Sequence, residues 1–172
     1  MSTIASTGDL TQTGTWVADP VHSSVSFEVP YAGVSTFRGS FRDFSATLAG
    51  GRLAGSARVA SVDVKDEQLN GHLQTPDFFD AERFPEIAFT ATSLDRGELT
   101  IKGVTHPVEL TGSISGPNAD PFGRERIGLK LEATVDRTDF GVSWNAPNQG
   151  GGNYLGDDVK IVAELTLAKQ EG

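Results

Sequence analysis

The chain has 172 residues with 14 Lys and Arg against 23 Asp and Glu, a net charge of -9, and it is 37% hydrophobic and 22% charged. That length and apolar content suit one domain with a sizeable core and exclude a disordered chain. The acidic balance excludes a phosphate-tracking nucleic-acid binder and electrostatic docking on anionic membranes, and the absence of Cys excludes disulfides, thiolate-bound zinc and thiol nucleophiles.

Residues 1–14 are rich in Ser, Thr and Gly, with Ile4 and Leu10 isolated among them. They predict a flexible N-terminal tail, followed by one domain over 15–170. The start has neither a basic segment nor a continuous apolar one, and no apolar run reaches the roughly 18 residues of a spanning helix. A soluble, cytoplasmic protein without stable membrane insertion is the expectation. From Trp16 onward the pattern has period two. Val25, Phe27, Val29 and Tyr31 alternate with Ser24, Ser26, Glu28 and Pro30, and Phe37, Gly39 and Phe41 continue the alternation. Ala49-Gly50-Gly51-Arg52 predicts a hairpin turn, since paired glycines tolerate positive φ, and a strand is expected from about Leu53 to Val64.

Asp66 to Leu73 breaks the rhythm: Leu69 and Leu73 are four apart, and acidic residues at the start suit the positive end of a short helix. The aromatic stretch Thr75–Asp80 and Phe84-Pro85 then reads as a lid or plug packed on the core. Alternation returns at Ile87-Phe89-Ala91, Leu99 and Ile101, Val108 to Ile114, Leu129 to Val135, and Val159 to Leu167. Pro147 to Asn153 reads as a wide flexible loop. Eight or nine strands joined by short turns predict an all-β antiparallel sandwich or up-and-down barrel, between which periodicity does not choose.

The motifs that carry chemistry are weak. His22, His72 and His106 lack metal-ligand spacing. Asp139-Phe140-Gly141 has none of the companions of a phosphoryl-transfer site. Ser61, Asp63 and His72 could be imagined as a triad, but nothing resembling a nucleophile elbow surrounds Ser61. No enzyme activity, metal or cofactor is expected. The 10 Phe against 2 Trp and 2 Tyr are more informative, because Phe adds apolar surface without a polar handle. A solid β core explains most of them. A small barrel interior, however, is either just filled or able to hold one small ligand, and Gly39, Ala91, Gly112 and Ala133 on the apolar faces would open space. On the residues alone, cavity and solid core stay level.

Six blocks in order resemble the YceI-like family of polyisoprenoid-binding, lipocalin-like proteins. They are Trp16 to Ser23, Gly39 to Phe44, His72 to Asp80 with Phe84 to Phe89, Gly97 to Thr105, Arg137 to Trp144, and Gly156 to Val159. The resemblance implies an eight-stranded antiparallel lipocalin-like barrel with a short inserted helix. It implies a long apolar ligand in the pore: polyisoprenoid, isoprenoid quinone-like or fatty-acyl. Mapped by alternation, the ligand-binding set is Val25, Phe27, Val29, Tyr31, Phe37, Leu69, Leu73, Phe78, Phe79, Ile87, Phe89, Leu129, Leu131 and Trp144. His22, Tyr31 and Arg137 are expected near the mouth, fixing orientation. Tyr31 departs from the family, which often has a histidine there; a phenol keeps a hydrogen-bonding tip but cannot become cationic. The alternative is a filled barrel acting as a protein-interaction module or homodimer, a state that no feature of this sequence fixes.

Overall fold

In a computed structural model, which describes residues 3–5, 10, 12–147 and 153–170, the chain is mostly β with every strand pair antiparallel. The strands are β1 (Thr3–Ala5), β2 (Thr15–Ala18), β3 (Ser24–Tyr31), β4 (Ser35–Phe41), β5 (Phe44–Ala49), β6 (Arg52–Arg58) and β7 (Val62–Asp63). After the helix α1 (Glu67–Leu73) come β8 (Glu86–Ala91), β9 (Arg96–Ile101), β10 (Val104–Glu109), β11 (Thr111–Ala119), β12 (Glu125–Asp136) and β13 (Asp158–Lys169). At the β5–β6 turn, Gly50 and Gly51 both adopt positive φ, 60° and 77°, as a two-residue hairpin with right-handed strand twist requires.

The expected eight-stranded closed barrel needs correction. The described residues form a 13-stranded sheet ordered β1-β11-β12-β13-β2-β5-β6-β8-β9-β10, with β3, β4 and β7 branching from β13. Long strands are interrupted, so one wall position is shared by two short strands. β13 pairs with β3 through Lys160–Glu164 and with β2 through Leu167–Lys169, on either side of the break at 19–23. The strand expected through Val64 is broken by a 3-10 turn at Val59–Ser61. The ladder also does not close. β10 pairs with β9, while β11, one residue further on, pairs with β12 and β1, so at Leu110 the chain passes from one end of the ladder to the strand next to its other end.

Two apolar clusters fill the interior. One is tightly packed and includes Trp16, Leu48, Leu53, Leu94, Ile127 and Leu167, all 2% exposed or less. Leu10, within the stretch expected as a tail, is completely buried in this cluster: even an apolar residue without periodic neighbours gains from burial. The other cluster gathers Phe27, Phe41, Leu73, Phe78 and Phe140 around the cavity described below. Gly39 and Gly112 do not open space, as had been expected. A Cβ at Gly39 would run into the Phe27 ring and lie 2.8 Å from Val64 Cγ1, and one at Gly112 would lie 2.6 Å from the Leu94 carbonyl oxygen. They are close-approach sites. The loop expected over Pro147–Asn153 lies largely outside the described residues, which resume at Asn153.

The break between β2 and β3 is held by charge. Arg126 donates to Asp19 at 2.9 Å and to Asp120 at 2.8 Å, and His22 Nδ1 lies 2.7 Å from Asp19. The His22 contact, the Val21 backbone N–H and Arg126 hold the Asp19 carboxyl far below the usual carboxylate range, and Arg126 together with the Phe122 and Arg124 N–H groups lowers that of Asp120. A carboxyl whose pKa is depressed on folding stabilises the fold above its unfolded value, near 3.8, and this is lost as the pH falls through the folded value. Thermal unfolding between pH 6 and pH 2 should therefore show Tm falling below about pH 4. Arg126→Gln should flatten that fall, and an unchanged acid slope would contradict the assignment.

Candidate functional site

The strands surround a partly open cavity of about 480 Å³. Its walls come from inward-facing positions of the strands, and the sequence alternation places them there. On β3, Val25, Phe27 and Val29 face it; on β13, Val159, Ile161 and Ala163 do so. Those three β13 side chains point inward yet stay half-buried, whereas Leu165 and Leu167 further along the same face are buried. Side chains that turn their backs to solvent and are still accessible border real space, not a packed core.

The segment from Asp66 to Phe84 covers one side. Asp66 caps α1, its carboxylate accepting from the Gln68 and Leu69 N–H groups at 2.9 and 3.2 Å. This sets Leu69 and Leu73 toward the cavity. The following turns are tied back by Phe79 N–H to Leu73 O at 3.0 Å and Ala81 N–H to Gln74 O at 2.8 Å, and Gln74 reaches the Val59 carbonyl at 3.0 Å. The aromatic stretch is thus pinned to the wall. His72, Phe78 and Trp144 pack edge-on or tilted with centroids 4.9 to 5.5 Å apart, and Phe79 meets Phe41 at 5.9 Å.

Of the fourteen residues expected to bind ligand, thirteen border this cavity; Leu129 does not. Leu129 lies in the tightly packed cluster, two residues before Leu131 on the same face of β12. His22, expected at the mouth, is exposed and paired with Asp19, away from the cavity. The sequence reading missed Leu99, Ile101 and Val108 on β9 and β10, Phe140 and Val142 after β12, and Tyr154. Alternation could have supplied the strand residues, but Tyr154 follows a Gly-rich stretch with no periodic signal.

Polar groups are few and engaged. Arg137 is 6% exposed; its Nε donates to Gly156 O at 2.9 Å, and its Nη1 to Val142 O at 2.7 Å and Trp144 O at 2.9 Å. Its buried Nη2 has no hydrogen-bond partner and lies 3.6 Å from the Asp157 carboxylate. Burial lowers the guanidinium pKa, and Asp157 and Asp136 oppose that shift. The Tyr31 and Tyr154 hydroxyls hydrogen-bond to each other, which raises the Tyr154 pKa above its ordinary value, with burial adding to the shift. The imagined triad does not assemble. Ser61 donates to Arg58 O at 2.7 Å, Asp63 pairs with Arg42 at 2.9 Å, and His72 Nε2 lies 3.0 Å from Asp77. Among the described residues no group of three His, Cys, Asp or Glu could hold a metal, and no helix is long and apolar enough to cross a membrane.

Comparison with known proteins gives a consistent picture. A family model described as YceI-like domain matches residues 16–167. A UPF0312 protein of Staphylococcus aureus is 30% identical over 165 residues, covering 89% of this chain and 96% of the relative. Among solved structures, BcnA of Burkholderia cenocepacia superposes with a TM-score of 0.73 at 23% identity, covering 87% of this chain and 98% of that one. A polyisoprenoid binding domain from Saccharophagus degradans superposes at 0.75 with 12% identity, covering 92% and 100%. At these identities the two structural likenesses are ones of fold.

Proposed function

Because the chain belongs to the YceI-like family, we propose that it binds a long apolar ligand in its cavity, for storage, transport or sequestration. The ligand is a polyisoprenoid, an isoprenoid quinone-like lipid or a fatty-acyl lipid. The observation that carries this reading is the space of about 480 Å³ bordered by apolar side chains from most of the wall strands, among them the half-buried Val25, Ile87, Phe89, Ala133 and Ile161. It falls in the range of about 300–1,000 Å³ typical of small-molecule sites, and is far larger than the voids that native packing leaves. The polyisoprenoid-binding description of the Saccharophagus domain agrees with it. Burying apolar ligand surface yields about 25 cal/mol per Å², so a chain of several hundred Å² binds with affinity to spare after ordering costs. The few polar groups then orient the ligand more than they hold it.

The test is mass spectrometry of the same purified batch under native and denaturing conditions, with an organic-solvent extract alongside. A stoichiometric mass lost on denaturation and recovered as a polyprenyl, quinone or acyl species is the expected result. Protein that gains no mass and no thermal stability after incubation with a prenylated quinone, a polyprenol and a long fatty acid would overturn the reading.

A further inference from the structure

The cavity's polar corner is built, not incidental. Tyr31 ends β3, and the segment Tyr154–Gly156 is stitched alongside it. Ala32 N–H donates to Tyr154 O at 2.7 Å, Gly156 N–H to Pro30 O at 2.9 Å, and Tyr154 N–H to Ala146 O at 2.7 Å. Asn145 fixes the same segment from the other side, donating to Leu155 O at 2.7 Å and accepting from Leu155 N–H at 2.8 Å. The two phenol rings therefore meet edge-on, with centroids 4.8 Å apart and hydroxyls in contact, and both border the cavity.

A pair of phenols has two protons and uses one between them. One hydroxyl donates to the other, and the accepting hydroxyl keeps an O–H free to donate to a third atom. That second donation is strengthened, because a hydroxyl that accepts a hydrogen bond is a better donor. The surrounding charges offer an anion no uncommitted cation as a partner. The other ionisable groups bordering the cavity are Asp66, Glu132, His72 and Arg137. Two are carboxylates: Asp66 caps α1, and Glu132 pairs with Lys130 and Lys160. Arg137 spends three donors on backbone carbonyls, and its remaining nitrogen is enclosed by protein beside Asp157. His72 faces Asp77. A phosphate or carboxylate head group would find no uncommitted cation among these groups, whereas a neutral carbonyl oxygen would find a donor.

The geometry points to the Tyr31–Tyr154 pair as the head-group site of this cavity, donating a hydrogen bond to an acceptor oxygen on an uncharged lipid and discriminating against anionic ones. This rests on the apolar-ligand reading and adds to it the polarity of the head group and the residues that read it.

The experiment titrates the full-length protein with three probes of equal chain length, followed by native mass spectrometry. The probes are a prenylated benzoquinone, the matching hydrocarbon without oxygen and a polyprenyl phosphate. The wild type should prefer the quinone over the hydrocarbon by about 3- to 10-fold, the worth of one hydrogen bond, and should bind the phosphate more weakly than either. The Tyr31→Phe/Tyr154→Phe double variant should erase the quinone's advantage, while each single Phe variant, which keeps one phenol able to donate, should only reduce it. Hydrocarbon binding and Tm should stay unchanged. An advantage that survives in the double Phe variant, or a phosphate that binds as well as the quinone, overturns the head-group assignment alone. If the hydrocarbon also fails to bind, the assignment falls together with the apolar-ligand reading.

Discussion

An Ala133→Trp variant is expected to fold and to lose about a thousandfold in affinity for a long apolar ligand. Ala133 sits on β12 opposite Ile161 of β13, is itself half-buried, and borders the cavity. A Trp side chain buries about 150–250 Å², and in this position it would occupy surface that a ligand would otherwise cover. At about 25 cal/mol per Å² the lower figure is close to 4 kcal/mol, or about three powers of ten in Kd. The same ring removes apolar surface from an accessible interior, so Tm should stay level or rise. Ligand loading by native mass spectrometry and thermal unfolding of the ligand-free protein check both halves. Full loading in a variant with a raised Tm would mean that ligand does not occupy the space beside β12.

Arg137→Met is expected to be the most damaging single change at the cavity. The guanidinium holds the carbonyls of Val142, Trp144 and Gly156 from the short turn after β12. Met keeps the length and apolar stem but removes every donor, leaving three carbonyls to find new partners in a buried place. Relief from desolvating a charge offsets part of this, because Asp157 is largely exposed and returns to water readily. The net loss should be about 3 kcal/mol, or roughly 6–12 °C in Tm for a chain of this size. Hydrogen exchange should quicken at Val142–Ala146 and Tyr154–Asp157 before the strands respond. Arg137→Lys should recover little, since one ammonium cannot serve three carbonyls in a fixed fork. An unchanged Tm in Arg137→Met would refute this role.

Much of the architecture was legible because alternation reports which face a side chain takes. It does not report height along a strand, and this is why Leu129 was misplaced. Ile127, Leu129, Leu131, Ala133 and Val135 share one face of β12, but the first two lie in the packed cluster while the last two border the cavity. The interruptions were invisible for a related reason. Period two runs through Leu110 without a break, yet the hydrogen-bond partner changes there from β9 to β12. Gly39 and Gly112 show a third limit: a missing side chain reads equally as room left open or as room already taken by Phe27 or the Leu94 backbone. Arg137 was visible as a candidate, but its burial and its three carbonyl partners depend on a turn whose path the sequence does not spell out.

The separation of a packed cluster from a hollow one has a consequence for how such a protein can change over generations. In most small domains the residues that confer stability and those that contact a ligand compete for the same interior, so new specificity tends to cost stability. Here Trp16, Leu48, Ile127 and Leu167 lie in a cluster distinct from the one around the cavity, and none of them borders it. Substitutions such as Val to Phe or Ile to Ala around the cavity alter a vacant volume more than a close-packed one, and so escape much of the usual cavity or crowding penalty. One scaffold can therefore drift among guests of different length and girth while its foundation stays fixed.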